Sequence, residues 1–417
     1  MTPPMARPLH RTWLNAHALH LLDFGRRTAL PDGGAAWLDD LGAPTPDIPV
    51  HTLITCRMTH VYSIGALLGV PGARTVARRA MAGLTGTLHD PEYGGWYPAR
   101  HPDGSADPTK TCYDHAFVLL AASSATLAGV PGADSLLEDA HRILLDRFSD
   151  DTAGLCIDTW DETFTTPLAY RGINANMHAV EAMLSAADVT GDRDLIDRAL
   201  RICRFAADTA RSHDWRLPEH YDSHWRPQLD FHRDRPDDQF KPYGATVGHG
   251  LEWSRLLLHT EAAAAAQAGP WLLDAARRLF DRAVADGWNT DGHPGFVYTT
   301  DWDGRPVVHD RLHWVCAEAV NAAAALFRRT GDERYAQWYE TFWDYADQHL
   351  IDHEQGSWRH QLSADNAPSH TIWEGKPDLY HAFQSTLVPQ LPLYPMLATA
   401  VASGSLAGTA NSSANHP

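Results

Sequence analysis

The stretch GINANMHAVEAMLSAADVTG, residues 172–191, shows the pattern that decides the fold: polar side chains open a helix that is otherwise apolar and ends at Gly. Runs of alternating strand pattern are few and short. Five further stretches share this character: HTLITCRMTHVYSIGALLG (51–69), YDHAFVLLAASSATLAG (113–129), VGHGLEWSRLLLHTEAAA (247–264), LHWVCAEAVNAAAALFRRTG (312–331) and DLYHAFQSTLVPQL (378–391). The chain therefore repeats one helical unit six times.

Equivalent polar positions in the six stretches are 57, 64, 71, 64 and 68 residues apart, as read from Arg57, Asp114, His178, His249, His313 and His381. More polar helices with Arg and Asp on one face lie between them, at 135–150, 193–210 and 271–288. Short turns rich in Gly and aromatic residues, at 93–98, 154–160, 295–302 and 356–362, are typical of small hairpins. The repeating unit is thus an outer helix, a hairpin and an inner helix.

A helix pair of this kind cannot bury its apolar face alone, so the pairs stack on one another. Six pairs can close into a ring, and we predict an all-α fold, an (α/α)6 barrel; an open solenoid is the alternative. One domain, residues 1–401, is expected to hold the whole barrel. Residues 402–417, small and polar, are predicted to be a disordered tail.

The composition excludes several classes of function. The net charge of −18 is spread along the chain, which argues against nucleic acid or an anionic membrane as a partner. No apolar run is long enough for a membrane span, and no secretory signal opens the chain. Five Cys without a CxxC pair predict neither a disulfide framework nor a zinc knuckle. A cytoplasmic protein is expected, and a homo-oligomer remains open.

In a closed barrel, the polar openings of the inner helices converge on one funnel. Residues three or four apart share a helix face, as do Asn174 and His178, His249 and Glu252, and Trp314 and Glu318. No GxSxG, GxGxxG, Walker or HExxH motif is present. The 25 His residues favour proton transfer near neutral pH.

Two other chemistries stay open. A metal site could be assembled from His249, Glu252, His313 and Glu318, although their spacing does not favour it over hydrogen bonding. The carboxyls of Glu252 and Glu318 could form the acid pair of a glycoside hydrolase or lyase. A barrel that binds carbohydrate without catalysis is a further alternative.

The segments RMTHVYS (57–63), NANMHAVEA (174–182), GHGLEWSRL (248–256) and above all WEGKPDLYHAFQ (373–384) resemble the N-acylglucosamine 2-epimerase superfamily. The resemblance covers the chain from about Trp13 to Pro395. The pattern KPDLYHAFQ, with no Arg directly after it, is closer to the aldose–ketose isomerase branch than to the epimerases. That branch includes enzymes acting on mannose and on sulfoquinovose. Pro377 and Gln239 depart from the sulfoquinovose pattern, so mannose is the expected substrate.

The resemblance implies an (α/α)6 barrel that interconverts an aldose and its 2-ketose through a cis-enediol, without metal or organic cofactor. It assigns catalysis to His249 and His381, with His381 expected to move the proton between C1 and C2 and His249 to open the sugar ring. An epimerase of an aldose or N-acyl-hexosamine, or an isomerase of sulfoquinovose, remains the alternative within the superfamily. The residues that the resemblance places around the sugar are Arg57, Tyr113, Asn174, His178, Glu252, Trp314, Glu318 and Trp373.

Overall fold

The computed structural model describes residues 3–406, and thirteen α-helices dominate this part of the chain. Their bounds are α1 (Pro8–Phe24), α2 (Thr52–Leu67), α3 (Ala73–Leu84), α4 (Cys112–Leu127), α5 (Ala133–Ile143), α6 (Ile173–Thr190), α7 (Asp194–Ser212), α8 (Val247–Ala264), α9 (Trp271–Gly287), α10 (His313–Thr330), α11 (Glu333–Tyr345), α12 (Tyr380–Leu387) and α13 (Leu397–Ala402).

The helices form a closed double ring. Helices α2, α4, α6, α8, α10 and α12 each contact the next, and α12 returns to α2. Helices α3, α5, α7, α9 and α11 pack outside α2, α4, α6, α8 and α10, while α1 covers α12. The first helix of the chain thus completes the last pair. The predicted (α/α)6 barrel is confirmed in the described residues, and the alternative of an open solenoid is wrong.

Burial explains which helices lie inside. The inner helix α2 is buried from Thr52 to Gly65 without interruption, because it packs against neighbours on every side. The outer helix α7 buries only one face, through Leu195, Ala199, Ile202 and other residues at helical spacing. A helix with apolar residues on all of its faces therefore lies inside, and a helix with apolar residues on one face lies outside, as the sequence predicts.

Short antiparallel strand pairs surround one end of the barrel. Five inner helices begin directly after a strand that pairs with a strand following the next outer helix. The six sheets are β1 (Val50–His51) with β2 (Ala99–Arg100), β3 (Thr109–Thr111) with β6 (Thr159–Asp161), β4 (Ser149–Asp150) with β5 (Leu155–Cys156), β7 (Arg171–Gly172) with β8 (His220–Tyr221), β9 (Ala245–Thr246) with β10 (Thr299–Thr300) and β11 (Pro306–Val308), and β12 (Arg311–Leu312) with β13 (Gln361–Leu362). These pairs hold the first turns of the inner helices together.

Buried ion pairs fix two of the predicted hairpin turns. Lys110 Nζ lies 2.7 Å from Asp90 Oδ2, and Lys376 Nζ lies 2.8 Å from Asp352 Oδ2. Each Asp also accepts hydrogen bonds from two backbone N–H groups of its own turn. A buried charge needs such pairing and hydrogen bonding, so these turns are held rigidly at the barrel mouth.

The end of the last inner helix and the start of the predicted tail differ from the sequence prediction. Helix α12 ends at Leu387, because Pro389 lacks the N–H that would continue it, and a short 3-10 turn, Val388–Gln390, follows. The chain then forms α13, which contacts α2, α4 and α6 and ends at Ala402. Residues 403–406 form a turn, and the rest of the predicted tail, 407–417, lies outside the described residues.

None of the helices in residues 3–406 is both long and apolar enough to cross a membrane. The five Cys are free and buried.

Candidate active site

The first turns of the inner helices surround a cavity of about 550 Å³, counting the space open to solvent at its mouth. Its lining combines imidazole, aromatic and carboxyl groups from all six inner helices and four connecting loops: Arg57, Tyr113, Asn174, His178, Gln239, Phe240, His249, Glu252, Tyr298, His313, Trp314, His360, Trp373, Asp378 and His381. The polar openings therefore do converge on one funnel.

Nine of the ten site residues named from the sequence line this cavity. The tenth, Glu318, is fully buried behind it and reaches the cavity only through His381. Sequence spacing places Glu318 on the correct face of α10, but one turn deeper than Trp314.

Arg57 is held rigidly at the start of the barrel wall. Its Nη1 donates to Asp378 Oδ2 over 2.9 Å, and its Nη2 donates to the Tyr113 hydroxyl over 3.0 Å. The guanidinium also lies over the rings of Phe117 and Tyr380, at 4.9 and 5.1 Å from the ring centres. Its Nε has no partner in the described protein, so this buried donor remains available to a bound oxygen.

The tautomer of His381 is fixed by Glu318. His381 Nδ1 lies 3.0 Å from Glu318 Oε1, and an ionised carboxylate can only accept, so Nδ1 carries the proton. Burial lowers the pKa of His381, the hydrogen bond to Glu318 partly opposes this, and Arg57 lowers the pKa further. The imidazole is therefore neutral at neutral pH, with the lone pair of Nε2 free to accept a proton.

The second predicted histidine, His249, also packs against Trp314. The ring centre of Trp314 is 5.2 Å from that of His249 and 5.8 Å from that of His381, so both imidazoles pack against one indole. Gly248 permits this, because a Cβ there would lie 2.3 Å from the indole. His249 Nδ1 is 2.9 Å from Glu219 Oε1, although the two groups are not aligned as a hydrogen bond.

Three buried carboxyls and one guanidinium lie beneath the cavity. Arg255 Nε donates to Glu318 Oε2 over 2.8 Å, and its Nη atoms lie 3.4 Å from Glu252 Oε1 and 3.6 Å from Glu181 Oε1. Burial and the neighbouring Glu318 raise the pKa of Glu252 well above its usual value. Burial would also raise the pKa of Glu318, but Arg255 and the bond to His381 outweigh it, and the pKa is lowered.

The four residues considered from the sequence as a metal site, His249, Glu252, His313 and Glu318, do not come together in the described structure. The groups close enough to share an ion are His178, Glu181 and Glu252, and Glu252, Glu318 and His381. His249 and His313 belong to neither. Arg255 lies against the carboxyls of both groups, so a guanidinium already supplies their positive charge.

His178 and Trp373 both line the cavity. His178 packs edge-on against Tyr113 at 5.0 Å, and burial lowers its pKa to about 4, so it is neutral at neutral pH. Trp373 stacks on Trp37 at 5.9 Å, and Phe240 meets its face edge-on at 5.6 Å. These aromatic rings form a wall at the cavity mouth.

Several groups of the site were not assigned to the sugar from the sequence, although His313 was considered there as a metal ligand. His313 and His360 stack at 3.8 Å, and Asp378 holds Arg57. Their signals existed, since His313 opens α10 and Asp378 lies three residues before His381. Gln239, Phe240, Glu219 and Arg255 had no such signal: the first three come from segments between the helices, and Arg255 shares its helix with many buried positions.

Comparison with known proteins agrees with this geometry. The model of the N-acylglucosamine 2-epimerase (GlcNAc 2-epimerase) family matches residues 33–385, so the chain belongs to that family. Within it, a protein named D-mannose isomerase from Thermobifida fusca is 50% identical over 405 residues, covering 96% of this chain and 99% of its own. The D-mannose isomerase of Pseudomonas cannabina pv. alisalensis is 46% identical, covering 95% and 96%.

A solved structure described as a D-mannose isomerase superposes with a TM-score of 0.85 at 28% identity, covering 93% of this chain and 99% of the other. The resemblance predicted from the sequence, to the aldose–ketose isomerase branch, is confirmed by these relatives.

Proposed function

We propose that this protein interconverts D-mannose and D-fructose, with His381 as the base that moves a proton between C2 and C1. The observation that carries the proposal is the pair of imidazoles that pack against Trp314 and line one cavity, one of which has its tautomer fixed by Glu318. The names of the full-length relatives supply the sugar.

The reaction begins when the pyranose ring opens. His249, with Glu219 beside Nδ1, protonates the ring oxygen as the bond from C1 to that oxygen breaks. The hydroxyl on C1 gives its proton to His249, which restores the imidazole to its starting state, and C1 becomes the aldehyde carbon. Glu219 is the group that balances the charge on the imidazole as it exchanges this proton.

Proton transfer then takes place on the open chain. His381 Nε2 removes the proton from C2, the electron pair forms the C1–C2 double bond, and the aldehyde oxygen becomes an oxyanion. His249 protonates that oxygen, which gives the cis-enediol. The hydroxyl on C2 then gives its proton to His249 as His381 returns the transferred proton to C1, which yields the 2-ketose. No net proton or electron is gained, so a neutral His can complete the cycle.

Arg57 and Glu252 are the groups that stabilise the charged stage. Arg57 is a permanent cation whose Nε has no protein partner, so it can donate to the oxyanion. Because its raised pKa keeps Glu252 protonated, this carboxyl can donate to a sugar oxygen without adding a negative charge. Both interactions strengthen as the enediolate forms.

The cavity favours a neutral sugar over a sulfonated one. Among the described residues that line it, Arg57 is the one Arg or Lys, and Asp378 already neutralises it. We propose further that the enzyme is metal-independent and cytoplasmic. Arg255 supplies the positive charge among the buried carboxyls, and the free cysteines fit a reducing compartment.

Incubation with D-mannose tests the proposal. We expect fructose to accumulate until the same mixture forms from either sugar, and we expect no turnover of sulfoquinovose. Glucose without fructose would identify an epimerase instead. No product at all, from a folded protein, would contradict the assignment.

A further inference from the structure

Arg255 lies at the junction of three inner helices, and its neighbours are unusual. It is buried, and its guanidinium faces one carboxyl from each helix: Glu181 on α6, Glu252 on α8 and Glu318 on α10. All three carboxyls are themselves buried. A single positive charge therefore serves three buried acidic groups.

The three contacts are unequal. The Nε–Oε2 distance to Glu318 is 2.8 Å, and this pair forms a well-made hydrogen bond. The distances to Glu252 and Glu181 are 3.4 and 3.6 Å, and Glu181 has a second donor in the Tyr380 hydroxyl. Ligand atoms of Glu252 and Glu318 lie within 4.8 Å of each other. Two buried carboxyls this close cannot both ionise without compensation, so one retains its proton.

We propose that Arg255 is a positioning residue for the isomerase reaction: it selects Glu318 as the ionised carboxyl that orients His381, and leaves Glu252 as the protonated one. This inference rests on the proposed function. Glu318 uses one oxygen for Arg255 and the other for His381 Nδ1, so the guanidinium and the catalytic imidazole are joined through one carboxylate. Arg255 does not line the substrate cavity.

Other charged and titratable groups face this network. Arg57 acts on Glu252 and on His381 from α2, while His178 on α6 pairs with Glu181. Tyr380 on α12 and His259 on α8 also lie within its field. In the described structure, the side chains that donate to Glu318 besides Arg255 are His381 and, at 3.5 Å, Asn321. Removal of Arg255 therefore leaves Glu318 without its main counter-charge.

The pH dependence of kcat on D-mannose tests the proposal. In Arg255→Gln, burial and Glu252 should raise the pKa of Glu318. Protonation of Glu318, which replaces the charged acceptor of His381 with a neutral carboxyl, should then move the acid limb of log kcat to higher pH by about one unit or more. Arg255→Lys keeps the positive charge but loses the planar guanidinium. The acid limb of its log kcat profile should therefore lie between those of the wild type and Arg255→Gln. A loss of kcat that is equal at every pH, with an unmoved limb, would overturn the proposal.

Thermal unfolding supplies a second test that needs no activity. Gln has the shape of a protonated Glu, so Glu252→Gln should leave the Tm almost unchanged, whereas Glu318→Gln should lower it clearly because Arg255 loses its best-paired charge. An equal loss in both variants would contradict the inference, even if Arg255→Gln failed to fold. Absence of fructose formation by the wild type would instead overturn the proposed function, and the comparison of Tm values would still stand.

Discussion

Arg57→Lys is the substitution whose effect the structure specifies most closely. Arg57 Nη1 donates to Asp378 and Nη2 donates to Tyr113, while Nε has no partner in the described protein. A Lys ammonium at this depth would stay with Asp378 and give up the donor offered to the oxyanion. One hydrogen bond to a charged group is worth about 1.5–3 kcal/mol. At 1.36 kcal/mol per factor of ten, the expected loss is roughly 10- to 150-fold.

The loss should fall on kcat, because the oxyanion exists only as the reaction proceeds. Initial rates of fructose formation from D-mannose over a range of concentrations separate kcat from KM. Arg142→Lys is the matched control, since Arg142 is exposed on α5 and pairs only with Asp139 at the surface. A rise in KM with an unchanged kcat would refute the reasoning and leave Arg57 as a ground-state binding group.

Four other results are expected. His381→Asn should abolish exchange of the C2 proton of mannose in D₂O, followed by NMR; exchange near the wild-type rate would exclude His381 as the base. His249→Ala should impair turnover of mannose more than that of a three-carbon aldose, which has no pyranose ring to open; equal losses would argue against ring opening. Prolonged dialysis against EDTA should leave activity intact, and a loss reversed by Mn²⁺, Co²⁺ or Mg²⁺ would show a metal requirement. Finally, burial lowers the pKa of His381, so the base is protonated only as pH falls through that lower value. The acid limb of kcat should therefore lie below pH 6.5, the usual value for His, and a limb centred above that pH would contradict the assignment.

The sequence by itself determined the repeat, the pairing of an outer helix with an inner helix and most of the lining of the cavity. These features are local. The polar opening of each inner helix and the apolar run after it specify burial along a single helix, and helical spacing specifies which side chains share a face. For this reason spacing alone places Asn174 beside His178 and His249 beside Glu252, and both pairs line the cavity.

Only the tertiary structure decided which of these groups touch one another. Asp378 holds Arg57 across 321 residues of sequence, and Glu318 was assigned to the sugar but lies behind His381. Helical spacing gives the direction of a side chain but not its depth in the barrel, and it carries no information about partners on other helices. The protonation states of Glu252 and Glu318 depend on the position of Arg255 between them. Those contacts, and the charges they fix, exist only once α12 packs against α2 and closes the ring.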